Sequence, residues 1–143
     1  IRGYNLVDLV ETVQARVEAL AASGAEIPLI VYDPYQMSTV ALNLAKKGFF
    51  VRPFSQGDLR IKSDTELQDL ILSHKLVVYE DTDDLRYHLE NSIKREAEKG
   101  FRISKDLATK PCDGIVALSM SAHAAAAPEF FEVGDDGGEG AMF

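Results

Sequence analysis

The hydrophobic pattern of the first third of the chain changes between helical spacing and an unbroken apolar run. Leucines and valines recur every three or four residues from Leu6 to Leu20, which predicts an amphipathic helix with Asn5 as its N-cap and Gly24 after its last turn. The apolar run over residues 27–32 is short and rich in β-branched side chains. It predicts a central strand that is covered on both faces.

A second helix and a second strand follow this run. Apolar residues at helical spacing from Met37 to Leu44, then the basic pair Lys46-Lys47 and Gly48, predict a helix that ends there. Residues 49–53 are predicted to form the next strand. Because two successive parallel strands need a crossover connection, this order of elements predicts an α/β fold with a parallel strand pair.

In the second half of the chain the pattern is less regular. Ser63 and Glu66 have the spacing of a capping box, which predicts that a helix begins there. The further predicted elements are a short strand at 76–79, a long helix at 85–97, an edge or hairpin strand at 101–104 and an Ala-rich helix at 113–126.

Composition suits one domain followed by a tail. The chain has 143 residues, of which 46% are hydrophobic, and it contains no apolar run of the roughly 18 residues that a membrane span needs, so no membrane partner is expected. Residues 129–143 contain four glycines and five acids, which predicts a disordered acidic tail after a domain at 1–128. The single cysteine, Cys112, excludes an internal disulfide and fits a reducing compartment.

The formal charge of -8 argues at first against a nucleic-acid partner. Nine of the acids lie in the tail and at positions 80, 81, 83 and 84, and without them the chain carries +1, so a local basic surface is possible. Six basic side chains on or after the predicted strands could hold a phosphate backbone, although an ordinary surface role explains them almost equally well: Arg52, Arg60, Lys62, Arg102, Lys105 and Lys110.

Two isolated acids are the main candidates for chemistry. Asp33 ends the first predicted strand just before Pro34, and Asp113 opens the last helix. Ligands of open α/β sheets usually bind at the carboxyl ends of the strands, so the two acids would form a divalent-metal site if the fold brings them together. The alternative is that Asp33 begins a turn and Asp113 caps a helix.

Other common sites find little support in the sequence. No Gly-rich phosphate loop is present, and the histidines are too dispersed for a structural zinc site. His88 is expected on a solvated helix face, and His123 in a surface or packing role. Cys112 has no histidine nearby in sequence that would activate it as a nucleophile.

Several motifs occur in an order that resembles one known family. They are Leu29-Ile30-Val31-Tyr32-Asp33-Pro34, residues 44–48, Phe54-Ser55-Gln56-Gly57, residues 67–72, Asn91, residues 102–105 and, above all, Cys112-Asp113-Gly114-Ile115-Val116-Ala117-Leu118. This order is similar to that of the C-terminal nuclease domain of bacteriophage terminase large subunits, the motor proteins that package and cut viral DNA.

The resemblance implies a ribonuclease H-like core that is incomplete at its N-terminus, because the family's first acid precedes the helix at which this chain begins. Asp33 and Asp113 match the family's second and third metal-binding acids, which hold two Mg²⁺ or Mn²⁺ ions. Lys105 is expected to position the backbone or the attacking water. Robust activity of this chain alone would mean that the first acid is dispensable or is supplied locally, with Asp58 as the candidate. The implied partners are double-stranded DNA and other terminase or portal subunits, in the cytoplasm of a bacterial host of a phage or prophage.

Three classes of function therefore remain open from the sequence. The first is a DNA endonuclease that cuts phosphodiester bonds by a two-metal mechanism and is weak or inactive as this piece alone. The second is a non-catalytic α/β interaction module, or a relic of that fold. The third is a small-ligand-binding domain, which an acid at a strand tip would also suit.

Overall fold

The computed structural model describes residues 8–79 and 83–132. Their strands form two sheets, parallel β1–β2 and antiparallel β3–β4. In chain order the elements are a π-helical turn Val10–Gln14 continuing into α1 (Ala15–Ala22), β1 (Ile30–Tyr32), α2 (Pro34–Lys46), β2 (Val51–Pro53), α3 (Asp58–Leu72), α4 (Asp83–Glu90), β3 (Ser92–Ala97), β4 (Gly100–Lys105), α5 (Asp113–Ala126) and a 3-10 turn Pro128–Phe130.

The β1–α2–β2 unit confirms the predicted parallel pair and, with it, the α/β class. Ile30 lies opposite Val51 in this sheet, and both strands are shorter than the apolar runs that predicted them. Pro34 occupies the first turn of α2, where its missing N–H costs no hydrogen bond, and the helix ends before Gly48, whose φ is +93°.

The first helix begins later than its apolar spacing suggests. Asp8 Oδ1 accepts hydrogen bonds from the backbone N–H groups of Val10 and Glu11, which is how a side chain caps a helix start. The predicted cap Asn5 lies outside the described residues. The predicted end is confirmed, since Gly24 follows the last turn with a φ of +92°.

Two predictions in the middle of the chain are wrong. Helix α3 begins at Asp58, so Ser63 is not a cap but a buried residue inside the helix, where its hydroxyl donates to Arg60 O at 3.0 Å. Residues 76–79 pair with no strand among the described residues. For Ser63, the short capping motif is outweighed by the longer helix that already begins at Asp58.

The predicted long helix at 85–97 is also wrong in its second half. Helix α4 ends at Glu90, and the next residues form β3, in which Ser92 lies opposite Lys105 and Ala97 opposite Gly100. Pairing with β4 supplies the backbone hydrogen bonds that a helix would otherwise provide, so tertiary contacts override local helix propensity here. The predicted hairpin strand is confirmed as β4.

Helix α5 matches its predicted bounds and is the centre of the core. It packs against α3, α4 and β1, and it contributes Ile115, Met120 and Ala124 to the buried apolar residues. Phe54 after β2 is fully buried, and the ring of Phe130 stacks on it with centroids 5.6 Å apart. The expected tail therefore begins with a packed turn, and residues 133–143 lie outside the described part of the chain.

A buried polar cluster fastens the hairpin β3–β4 to α3. Arg60 Nε donates to Asp64 Oδ1 at 2.9 Å, and the side chain of Asp64 has no exposed surface. The two side chains also bind both backbone groups of Ile103, since Asp64 Oδ2 accepts from its N–H at 2.8 Å and Arg60 donates to its carbonyl oxygen at 3.4 Å. Ser119 of α5 donates to Asp64 Oδ1 at 2.6 Å, so the cluster joins three elements.

None of the helices within residues 8–79 and 83–132 is long and apolar enough to cross a membrane.

Candidate functional site

A groove of about 810 Å³ lies between β1, α2 and α5. Most of its lining is apolar, including Val31 of β1, Met37 of α2 and Val116 of α5. The carboxylates among its lining residues are those of Asp33 and Asp113, which are eighty positions apart in the chain. The fold thus brings both candidate acids to the same cavity.

Asp33 is held at the carboxyl end of β1 by its role as the N-cap of α2. Its backbone is extended, with φ -72° and ψ 114°, and its Oδ1 accepts a hydrogen bond from Tyr35 N–H at 2.9 Å. The other carboxylate oxygen, Oδ2, accepts no hydrogen bond from the residues that the structure describes. The capping role that the sequence offered as an alternative is therefore present, and it leaves one oxygen available to a ligand.

Asp113 lies in the first turn of α5 and does not cap it. The N-cap position belongs to Cys112, which makes no side-chain cap bond, and the Asp113 side chain is 74% exposed. Lys105 Nζ lies 3.8 Å from Asp113 Oδ2. The helix dipole favours a carboxylate in the first turn, and Asp113 lies there beside the groove without a close hydrogen-bond donor.

His88 and Cys112 hold the backbone around Asp113. Gly114 N–H donates to His88 Nδ1 at 2.9 Å, so this ring nitrogen is unprotonated and satisfies one of the free N–H groups at the start of α5. Burial raises the pKa of the Cys112 thiol, and the Asp113 carboxylate raises it further. A raised pKa favours the neutral thiol, which is a poor nucleophile, and the Cys112 side chain is buried.

The prediction that His88 lies on a solvated helix face is wrong, because the imidazole contacts the start of α5 across the interface between α4 and α5. The spacing of residues within α4 carries no signal for this contact. Gly114 shows how close it is: a Cβ added there would lie 3.2 Å from the His88 ring.

Several other candidate residues lie elsewhere or are already engaged. Asp58, the candidate for a locally supplied first acid, does not line the groove, and its carboxylate is paired with Lys99 at 3.0 Å. Arg60 is buried against Asp64. Arg52 donates to Glu132 O at 2.6 Å and stacks over the ring of Phe50. Of the six basic candidates, these two arginines are thus committed to contacts within the chain.

His123 has the packing role that was expected of it. Its ring lies edge-on to the rings of Phe54 and Phe130, with centroids 5.8 Å away in each case. Its Nδ1 contacts Glu66 Oε2 at 2.5 Å across the interface between α5 and α3. The residue stabilises helix packing away from Asp33 and Asp113.

The donor set beside the groove suits a hard cation but is small. Carboxylate oxygens are the ligands that Mg²⁺ and Mn²⁺ prefer. Within residues 8–79 and 83–132, no three side chains of the metal-ligating types come together. Asp33 and Asp113 are two carboxylates that line one groove, and a cation held by them would complete its coordination with water or with groups outside this pair.

Compared with protein-family models, curated proteins and solved structures, the chain has no significant match in any of the three. The similarity to terminase nuclease domains therefore rests on the order of the motifs alone.

Proposed function

We propose that this chain carries part of a metal-dependent DNA endonuclease site on a ribonuclease H-like fold, as in terminase large subunits. The observation that supports this most strongly is that Asp33 and Asp113, from distant parts of the sequence, line one groove. Each acid is held by a regular element, Asp33 between β1 and α2 and Asp113 at the start of α5. Sites built on regular elements keep their ligands in place.

The chemistry assigned to the groove follows from its charges. Bound Mg²⁺ or Mn²⁺ would supply an activated water and stabilise the departing oxygen of a phosphodiester. Asp33, through its free Oδ2, and Asp113 would hold the cation. Lys105 lies next to Asp113, where its ammonium can bind a non-bridging phosphate oxygen and orient the DNA backbone.

The unpaired edge of β1 offers a place for a third carboxylate. Hydrogen bonds from Ile30 N–H to Phe50 O and from Phe54 N–H to Tyr32 O join β1 to β2 on one side. Among the described residues no strand pairs with the other side, and residues of β1 line the groove. A strand added there would bring its side chains next to Asp33 and would supply the third carboxylate. Without that carboxylate, we expect the 143-residue chain alone to cut DNA weakly or not at all.

Nicking of supercoiled plasmid with Mn²⁺ tests the proposal, in a protein extended by the residues encoded upstream of Ile1. Asn replaces Asp as an N-cap with little loss, so Asp33→Asn should fold normally. Mutation of a residue that only hydrogen-bonds to a metal ligand typically lowers activity roughly 10–100-fold. Asp33→Asn and Asp113→Asn each change a proposed ligand itself, so each should lower nicking by more than that. Asp58→Asn, the same change outside the groove, should leave nicking unchanged. Undiminished nicking in Asp33→Asn or Asp113→Asn contradicts the assignment.

A non-catalytic interaction module is the second candidate, and one observation favours it. An apolar groove beside an unpaired strand edge fits an extended segment of a partner protein, which would add to the sheet through its backbone. Such a module would bind its partner in the presence of a metal chelator and would tolerate both Asp→Asn changes. Nicking that needs both acids would exclude it.

A further inference from the structure

Two arginines face each other across the hairpin β3–β4. Arg95 of β3 is the register partner of Arg102 of β4, and both side chains are exposed. Residues directly opposite in an antiparallel pair project from the same face, with Cβ atoms about 4.5–5.5 Å apart, and like charges there are destabilising. Within the described residues, neither guanidinium has a carboxylate within 4.0 Å to relieve this repulsion.

The charge of the hairpin contrasts with that of the whole chain. Residues 92–105 contain five basic and two acidic side chains, whereas the chain carries a formal charge of -8. The neighbouring lysines are engaged elsewhere. Lys94 lies over the ring of Phe101 at 4.5 Å on the opposite face, and Lys99 is paired with Asp58 at the hairpin turn. Arg95 and Arg102 remain as an exposed, uncompensated pair.

The strand that carries Arg102 is fixed by hydrogen bonds to α3, and it ends near the candidate site. The backbone of Ile103, next to Arg102, is fixed by Asp64 and by the guanidinium of Arg60. Three residues beyond Arg102 the same strand ends at Lys105, whose Nζ lies 3.8 Å from Asp113; this odd spacing places the Arg102 and Lys105 side chains on opposite faces of β4. At about 3.4 Å per residue, the arginine pair is roughly 10 Å along the strand from Lys105.

Protection of an edge strand is the ordinary explanation for charges of this kind. It accounts for Arg95, because β3 is the outer strand of the hairpin. It does not account for Arg102, because β4 lies between β3 and α3 and its outer edge is already covered. Protection also does not require like charges to be placed directly opposite each other.

We propose that Arg95 and Arg102 bind the phosphate backbone of the duplex DNA that the groove would cut. This inference rests on the proposed function for the identity of the partner. Each guanidinium can bind a phosphate through two parallel hydrogen bonds, and the phosphates supply the negative charge that the pair lacks. Contacts of this kind position the duplex without reading its sequence.

Fluorescence anisotropy with a labelled duplex, at several salt concentrations and with EDTA present, tests the inference on the 143-residue chain. Arg95→Glu should lower DNA affinity by about tenfold or more and make the dependence of log K on log salt shallower by about 1. The same change turns the cross-strand pair into an attractive one, so resistance to urea should rise. A change that raises stability while it lowers DNA affinity cannot be ascribed to misfolding.

The matched control is Lys46→Glu, the same charge reversal at the far end of α2 from Asp33. It should change DNA affinity by less than about twofold, whereas Arg95→Glu/Arg102→Glu should lower affinity further than Arg95→Glu alone. The inference is overturned if Arg95→Glu binds DNA as tightly as Lys46→Glu does. It is also overturned if the wild-type chain binds labelled poly-glutamate but not the labelled duplex.

The outcome for the arginines is independent of that for the acids. Binding in EDTA involves neither cleavage nor metal, so loss of affinity in Arg95→Glu can be observed even if the Asp33→Asn and Asp113→Asn proteins still nick DNA. In that case the proposed function fails and the DNA-binding surface remains. If nicking needs both acids while Arg95→Glu binds normally, only the role of the arginine pair fails.

Discussion

Strands β4 and β1 each have an edge that faces away from the sheet partner, and the two edges differ in their hydrogen bonding. At β4, the N–H and carbonyl of Ile103 are bound by Asp64 and Arg60 of α3. At β1, the far edge is unpaired among the described residues, and residues of the strand line the groove. We call α3, α5 and the hairpin the closed scaffold because α3 covers the outer edge of β4, and the region around β1 the open region because its outer edge is unpaired among the described residues.

This difference divides the candidate site into two parts. The closed scaffold carries Asp113 at the start of α5 and Lys105 at the end of β4, and both side chains are exposed. The open region carries Asp33, which is held mainly by its local cap of α2. If the groove is a metal site, the scaffold supplies a fixed ligand, and the open region supplies a second ligand together with the place where a third must enter.

Removal of the Asp64 side chain should have the largest effect on the stability of the closed scaffold. Asp64→Ala leaves the buried guanidinium of Arg60 without its ion-pair partner, and breaking a buried pair in this way costs about 3–5 kcal/mol. The free energy of unfolding in urea should fall by that amount. Asp69→Ala, an exposed acid on the same helix, should change it by less than about 0.5 kcal/mol. Equal effects of the two substitutions would mean that the polar cluster does not hold the scaffold together.

Sequence patterns predicted the open region better than the closed one. The β1–α2–β2 unit follows from apolar runs and from local signals such as Asp33 before Pro34 and Gly48 after α2, and these act within a few residues. The boundaries of α5 were predicted in the same way. Asp33 and Asp113 were expected to meet because of the motif order, and the structure does bring both to one groove.

The closed scaffold depends on contacts between distant residues that have no local pattern. Arg60 and Asp64 have the spacing of an ordinary exposed helical pair, and only the packing of β4 and α5 around them makes them buried. The segment Ser92–Ala97 is rich in residues that suit a helix, and pairing with β4 makes it a strand. The contact of His88 with Gly114 likewise arises only when α4 packs on α5.

A second test concerns the turn that closes the hairpin. Gly100 has a φ of +145°, and a Cβ there would lie 2.4 Å from Thr65 Oγ1 on α3. Gly100→Ala should therefore cost about 1–3 kcal/mol of overpacking beyond the cost of the backbone conformation. Gly24→Ala is the control, because its φ is +92° and no atom lies within 4 Å, so it should show only about 1–2 kcal/mol of backbone strain.

Adding Thr65→Ala to Gly100→Ala checks the cause of this loss. Removal of the Thr65 hydroxyl should recover part of the stability in urea unfolding, because the two side chains no longer collide. If the double variant is no more stable than the sum of the single effects predicts, the close approach of β4 and α3 is not what makes Gly100 necessary.

The smallest expected effect lies in the open region, where an exposed ion pair joins α1 to α2. Hydrogen bonds from Lys47 and then from Gln14 lower the pKa of Glu18 below its usual value of 4.5. A depressed pKa contributes stability above the unfolded-state value, and this contribution is lost as the pH falls through the folded-state value. Glu18→Gln should be slightly less stable than the wild type at neutral pH and equal to it in acid. A difference that persists in acid would point to packing rather than charge.

The central claim is that Asp33 and Asp113 bind the same divalent cation across the groove, and titration calorimetry with Mn²⁺ tests it most directly. The 143-residue chain should show weak but saturable binding that is lost in Asp33→Asn and in Asp113→Asn and retained in Asp58→Asn. Two results would contradict the claim: a wild-type chain that shows no saturable binding, or an Asp33→Asn or Asp113→Asn chain that binds Mn²⁺ as the wild type does.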